Sequence, residues 1–135
     1  KKSTISGNSS DSGGGIVNLY GTATIENSTI SGNTANSGGG IFNYGGSITI
    51  TNSTISGNTA NTGGGIWNSN SYYFFLRNGA VSLKNSVIAG NQASVAPEIE
   101  SFGIVTADNF NLFGTNGNAG VTVITTALSD ATSAQ

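Results

Sequence analysis

Hydrophobic residues return along this chain at fixed places. In Ser47-Ile48-Thr49-Ile50-Thr51 they alternate with polar ones, so an extended strand puts Ile48 and Ile50 on one face and the two Thr on the other. Residues 28–41 recur at 53–66 with one change, Ser37 becoming Thr62, and an earlier copy spans 3–16. The offset is 25 residues both times. A fourth copy begins at Ser86, 33 residues after Ser53, and the surplus falls on an insertion at 70–77. A repeat of this length stacks one supersecondary unit on the next, because a single unit cannot bury its own apolar face.

Helical repeats need apolar residues at three- and four-residue spacing among good helix formers. Here the repeats are rich in Gly, Thr, Ser and Asn, which are poor in helices. A leucine-rich repeat needs several Leu per unit, and this chain has few. The pattern therefore predicts an all-β single-stranded parallel β-helix, a β-solenoid of about five coils. In the second coil the strands are expected at 40–42, 48–50 and 54–56. A strand spacing of about 4.8 Å gives a rod roughly 25 Å long. Coils are expected over 1–126, with 120–126 adding a strand or cap, and a loose tail over 127–135.

Stacking in this register makes columns of like residues. Ile16, Ile41, Ile66 and Ile99 form one core column, and Ile25, Ile50, Leu83 and Ala107 form another. Ile5, Ile30, Ile55 and Ile88 form a third, which Leu112 is expected to continue. Asn27, Asn52, Asn85 and Asn109 repeat at one corner, and Asn8, Asn33, Asn58 and Asn91 at another. Stacked amides can hydrogen-bond along such a ladder. A Gly triplet before each of Ile16, Ile41 and Ile66 permits a tight bend.

Composition agrees with an ordered, polar-surfaced repeat. Gly, Asn, Ser and Thr make up 74 of the 135 residues, and net charge is −2. Four basic residues supply no row of cations for a nucleic-acid backbone. No run of about 20 apolar residues is present, so no membrane insertion of this segment is expected. The chain opens inside a repeat and is read as a piece of a longer protein whose export signal and anchor lie elsewhere.

The Ile-x-x-Asn copies at 5–8, 30–33, 55–58 and 88–91, with Gly-Gly-Gly-Ile at 13–16, 38–41 and 63–66, resemble the repeats of the polymorphic outer-membrane protein family. That family has Phe for the Ile of the first tetrapeptide and Ala for the third Gly of the second. The chain is equally similar to large anchor-bearing bacterial surface proteins with β-helix repeats, in which a run like Asn109-Phe110-Asn111-Leu112-Phe113-Gly114 closes the helical part. The resemblance covers about residues 3–115. It implies a right-handed helix, export, and an extracellular or cell-surface location, with adhesion among the roles of such proteins.

The search for chemistry is short. His and Cys are absent, which removes Ser-His-Asp and Cys-His catalysis and the common metal ligands. Of the six carboxylates, Glu26 and Asp108 share an outward column with Thr51 and Lys84, and Asp11 aligns with Asn36 and Asn61 at a corner. Glu98 and Glu100 flank inward Ile99 and are expected to face out. Solvated charges and one surface ion pair outweigh a catalytic pair. No enzyme activity, cofactor or metal is expected. The Gly spacing at 40–47 lacks the Lys of a phosphate loop. Asn18, Asn43 and Asn68 stand where a calcium-binding roll needs Asp.

Outward rows remain. Thr4/Ser6, Thr29/Ser31 and Thr54/Ser56 make a hydroxyl array that strand preference explains, with an ice-binding face as a remote option. Val17, Phe42 and Trp67 alternate with the inward Ile column and should stack outside, with Leu19 and Tyr44 two residues on. The favoured expectation is that the inserted loop, carrying Tyr72, Tyr73, Phe74, Phe75 and Leu76, folds back over this stripe. The functional alternative makes Val17, Phe42, Tyr44, Trp67, Tyr72 and Tyr73 a contact surface for a host or matrix glycan or protein. The reading is a structural or adhesive module. A fragment of a polysaccharide-active lyase or hydrolase, and a filament module self-associating through coil ends, are its alternatives.

Overall fold

The structure, a computed structural model, describes residues 2–73, 76–107, 110–114, 121–128 and 132–133. Every described element is a strand. The first coil comprises β1 (Ser3–Ser6), β2 (Ile16–Leu19) and β3 (Thr22–Glu26). The second comprises β4 (Ser28–Ser31), β5 (Ile41–Tyr44) and β6 (Ser47–Thr51). The third comprises β7 (Thr54–Ser56), β8 (Ile66–Ser69) and β9 (Ala80–Lys84), and the fourth β10 (Val87–Ala89) and the long β11 (Ile99–Ala107). β12 (Leu112–Phe113), β13 (Val121–Leu128) and β14 (Thr132–Ser133) carry the winding onward. The chain is a parallel β-solenoid.

One sheet runs β1-β4-β7-β10-β12-β14. The other runs β2-β5-β8-β11-β9-β6-β3, with β13 on β11. Every named pairing is parallel, and like residues meet: Ile5 with Ile30, Ile30 with Ile55, Ile55 with Ile88. Ile16, Ile41, Ile66 and Ile99 align, as do Ile25, Ile50, Leu83 and Ala107. A further inward column joins Ala23, Ile48, Val81 and Val105. These columns form one contiguous core, to which Ile5 and Ile16 of the first coil belong only partly buried.

One column differs from expectation. Phe113, not Leu112, follows Ile88, and Leu112 pairs with outward Val87. β11 lies 24 residues after β9, yet Asn111 returns to the 25-residue offset against Ser86. One extra residue at the intervening corner shifts the strand, and period-two alternation then swaps its faces. Phe113 is fully buried as a result.

Two amide ladders, buried except at Asn8, hold the coils together. Asn8, Asn33, Asn58 and Asn91 pass hydrogen bonds of 2.9–3.0 Å from each Nδ2 to the Oδ1 of the next coil. Each backbone N–H donates to the same oxygen, and the second amide hydrogen returns to an Ile carbonyl one coil back. The second ladder runs Asn18, Asn43, Asn68 and then Ser101 Oγ, at 2.7–2.9 Å. These Asn lie two residues after an inward Ile, so they point inward and give the corner carbonyls of Gly21, Gly46 and Gly79 a second donor beside the strand N–H of the next coil. Asn27, Asn52 and Asn85 instead take positive φ at an exposed corner, where Asn is tolerated; Asn109 lies outside the described residues.

The Gly triplets serve two purposes. The first of each, as Gly38 with φ +65°, makes the bend. The second allows close approach of coils: a Cβ on Gly39 would stand 2.5 Å from the Gly64 carbonyl oxygen.

Candidate functional site

β2, β5 and β8 present their even-numbered positions inward and their odd ones outward, or the reverse, by simple alternation. Ile16, Ile41 and Ile66 are inside, so Val17, Phe42 and Trp67 emerge together on the outer face. The strand spacing then sets their rings face to face: Phe42 and Trp67 stack with centroids 4.5 Å apart and planes 5° from parallel. Phe102 of β11 joins them, 6.1 Å from Trp67 and tilted by 56°. Leu19 aligns with Tyr44, and Tyr20 packs edge-on against the Tyr44 ring at 5.6 Å.

This face is open. Val17 is 48% exposed, Leu19, Tyr20 and Phe102 are exposed, and the stacked Phe42 and Trp67 are half-buried. The expectation that the inserted loop covers the stripe is not met by its described residues. Tyr72, Tyr73 and Leu76 point to solvent, at 75%, 79% and 65% exposure. Phe74 and Phe75 lie outside the described residues. The reason is where the loop is anchored. Its base closes on itself through paired Ser71 and Arg77 backbones, and Ser71 is wedged against Gly45 and the Tyr20 hydroxyl. The base of the loop is therefore fixed at the corner between β8 and β9.

A cleft of about 560 Å³ opens where the loop meets β11, lined by Ser69, Asn70, Tyr72, Asn78, Phe102 and Ile104 among others. Asn70 ties its two sides: Nδ2 donates to the Phe102 carbonyl at 2.9 Å, and Oδ1 accepts from Gly79 N–H at 3.0 Å. Phe102 and Ile104 escaped the sequence reading. Alternation from outward Glu100 was the signal for Phe102, but a continuous strand through the corner at Gly103 was not foreseen.

The carboxylates are scattered. Asp11 and Glu26 are exposed, Glu26 in the expected column with Thr51 and Lys84; Asp108 lies outside the described residues. Glu98 and Glu100 do not face solvent as expected. Both are buried, at 4% and 8% exposure. Glu98 takes the register position of Gly65 and turns its side chain to Asn91, where its Oε2 accepts from Nδ2. Burial pushes its carboxyl above the usual carboxylate range, and hydrogen bonds from the Asn91 side chain and from Asn91 and Gly90 N–H oppose that. Glu100 aligns with Trp67 in the outward column, and its buried Oε2 has no hydrogen-bond partner. Among the described residues no group of three acidic, His or Cys side chains is placed to hold a metal ion. The hydroxyl rows Thr4–Thr29–Thr54 and Ser6–Ser31–Ser56 are in register, and Val87 and Ala89 interrupt them.

The arrangement offers contact chemistry: aromatic edges, one ring-lined cleft, and a rigid frame beneath. No family model matches the chain, and neither does any curated protein or solved structure.

Proposed function

We propose that this chain is a non-catalytic structural and adhesive module of an exported cell-surface protein, and that its aromatic face makes the contact. The observation that carries the reading is the outward stripe Val17–Phe42–Trp67, with Phe102 packed on Trp67 and Tyr72 and Tyr73 exposed on the inserted loop. Contiguous exposed apolar surface of this kind marks interaction sites on soluble proteins. The ladder-stapled frame supports it, since a contact surface gains from rigid backing. The resemblance of the Ile-x-x-Asn and Gly-Gly-Gly-Ile copies to those of surface proteins supplies the extracellular setting and the right-handed winding.

The test is adhesion. Beads carrying the chain should adhere to mucin-coated or collagen-coated surfaces, and Val17→Ser with Leu19→Ser, both exposed, should reduce adhesion several-fold. Absence of adhesion to either coat, or product formation from a polysaccharide, would count against the reading.

A second reading is self-association through coil ends. It rests on the first coil, where β1 has an unpaired edge and Ile5 and Ile16 stay partly exposed beside a cleft of about 390 Å³. That edge accepts another coil, from this chain or a second copy. Sedimentation should show association rising with concentration, and a constant monomer mass would remove this reading.

A further inference from the structure

We infer that the cleft between the inserted loop and β11 is a binding site for a neutral sugar ring of a glycan. The inference deepens the adhesive reading and rests on it. Its partner class follows from the chemistry of the lining.

The cleft has aromatic walls. Phe42 and Trp67 are poor platforms for a sugar, because each covers the other's face. Phe102 is different. It is tilted 56° from Trp67, is 45% exposed, and so keeps ring surface free on the cleft side. Tyr72, exposed on the loop, lines the same cleft. The C–H groups of a pyranose carry partial positive charge and pack against the negative face of such rings.

The cleft also has unused polar groups. Among the described residues, every buried Asn except Asn111 belongs to a ladder. The Asn78 amide and the Tyr72 hydroxyl line the cleft and make no hydrogen bond within the described residues. An amide offers both donors and an acceptor, and a phenol offers one of each, which is what vicinal hydroxyls require. A few such groups among apolar walls is the usual make-up of a small-ligand site, and the volume lies within the roughly 300–1,000 Å³ of such sites.

Charge narrows the class. All six named lining residues are neutral. A phosphate, sulfate or uronate would leave water without a counter-charge. The frame is preorganised, since Asn70 links the Phe102 carbonyl to Gly79 across the base.

The experiment is calorimetric titration of the whole chain with cellotetraose, maltotetraose and chitotetraose, with tetragalacturonate as the acidic comparison. At least one neutral tetrasaccharide should bind, and Tyr72→Ala and Asn78→Ala should each weaken it by about tenfold. Both side chains are exposed, so the denaturation midpoint should not move. No heat from any neutral sugar, preference for tetragalacturonate, or unchanged affinity in both variants would overturn the site. The bead assay separates the two failures. Adhesion to collagen that the tetrasaccharides do not compete would overturn the sugar site and leave the adhesive reading, whereas no adhesion and no sugar binding would remove both.

Discussion

Glu98 stands against Asn91 where each earlier coil places the next asparagine of the ladder. Its Oε2 accepts a 2.5 Å hydrogen bond from Asn91 Nδ2, just as Asn91 Oδ1 accepts from Asn58 at 2.9 Å. Its carboxylate also receives the Asn91 N–H, which in the preceding coils goes to an asparagine Oδ1. A carboxylate thus takes over at the fourth coil what an amide does in the first three. The acceptor geometry is kept, and a charge is brought into a buried corner.

That exchange has a pH signature. Burial raises the Glu98 carboxyl, so the folded protein holds this proton more tightly than the unfolded chain does. The stability gained from it is full below the unfolded value and is lost as pH rises through the folded one. Glu98→Gln restores a neutral amide. The variant should match the parent at about pH 4 and exceed it at about pH 7 in denaturant midpoint. Parallel midpoints across that interval would show that Glu98 stays solvated.

The two kinds of corner asparagine should respond differently to Ala. Asn58→Ala takes the acceptor from two Asn33 donors and the amide donor from the Ile30 carbonyl, all buried, and leaves Asn91 Oδ1 only the backbone N–H of residue 58; it should cost at least about 3 kcal/mol. Asn52 is exposed with φ +50°, so Asn52→Ala should cost about 1–2 kcal/mol and Asn52→Gly less. Urea denaturation of the three variants checks the order.

Register at the fourth coil is tested by a neighbouring pair. Phe113 is fully buried beneath Ile88, and Leu112 is half-buried outside. Phe113→Ala should cost about 3–5 kcal/mol, similar to Ile55→Ala at about 2–5 kcal/mol, while Leu112→Ala costs far less. Equal losses at 112 and 113 would contradict the pairing.

Much of this was legible before any coordinates. The offset of 25 residues placed Ile30 on Ile55 and Phe42 on Trp67, because a parallel stack repeats its sequence in space. The Asn43 ladder is equally readable, since Asn43 lies two residues after inward Ile41 and so on the same inward face. The shift at Leu112 was not legible, since the corner offers two asparagines, Asn109 and Asn111, and the sequence does not mark which of them keeps the repeat's register. Nor was the burial of Glu98, which depends on a ladder ending at Asn91. The exposed loop follows from Ser71 lodging against Tyr20, a contact 51 residues apart in sequence that no repeat encodes.

Gly57 and Gly64 separate bend from close approach. Gly57 has φ +65°, and a Cβ there would meet only the Gly32 nitrogen at an ordinary 3.9 Å, so Ala there meets only backbone strain, about 1–2 kcal/mol. Ala at Gly64 would press on the Gln92 and Pro97 carbonyl oxygens at 2.5 and 2.6 Å and force the coils apart. Gly64→Ala should lower the melting temperature clearly more than Gly57→Ala.

The most direct measurement concerns the openness of the aromatic face, and Trp67, the single tryptophan of the chain, reports on it alone. Acrylamide quenching of the free protein should be intermediate, between that of a buried indole and that of a free one, because Trp67 is half-buried between Phe42 and Phe102. It should fall when the protein sits on an adhesive coat. Trp67 fully shielded in the free protein, and exposed only after residues 70–77 are removed, would show that the loop covers the stripe and would contradict the account.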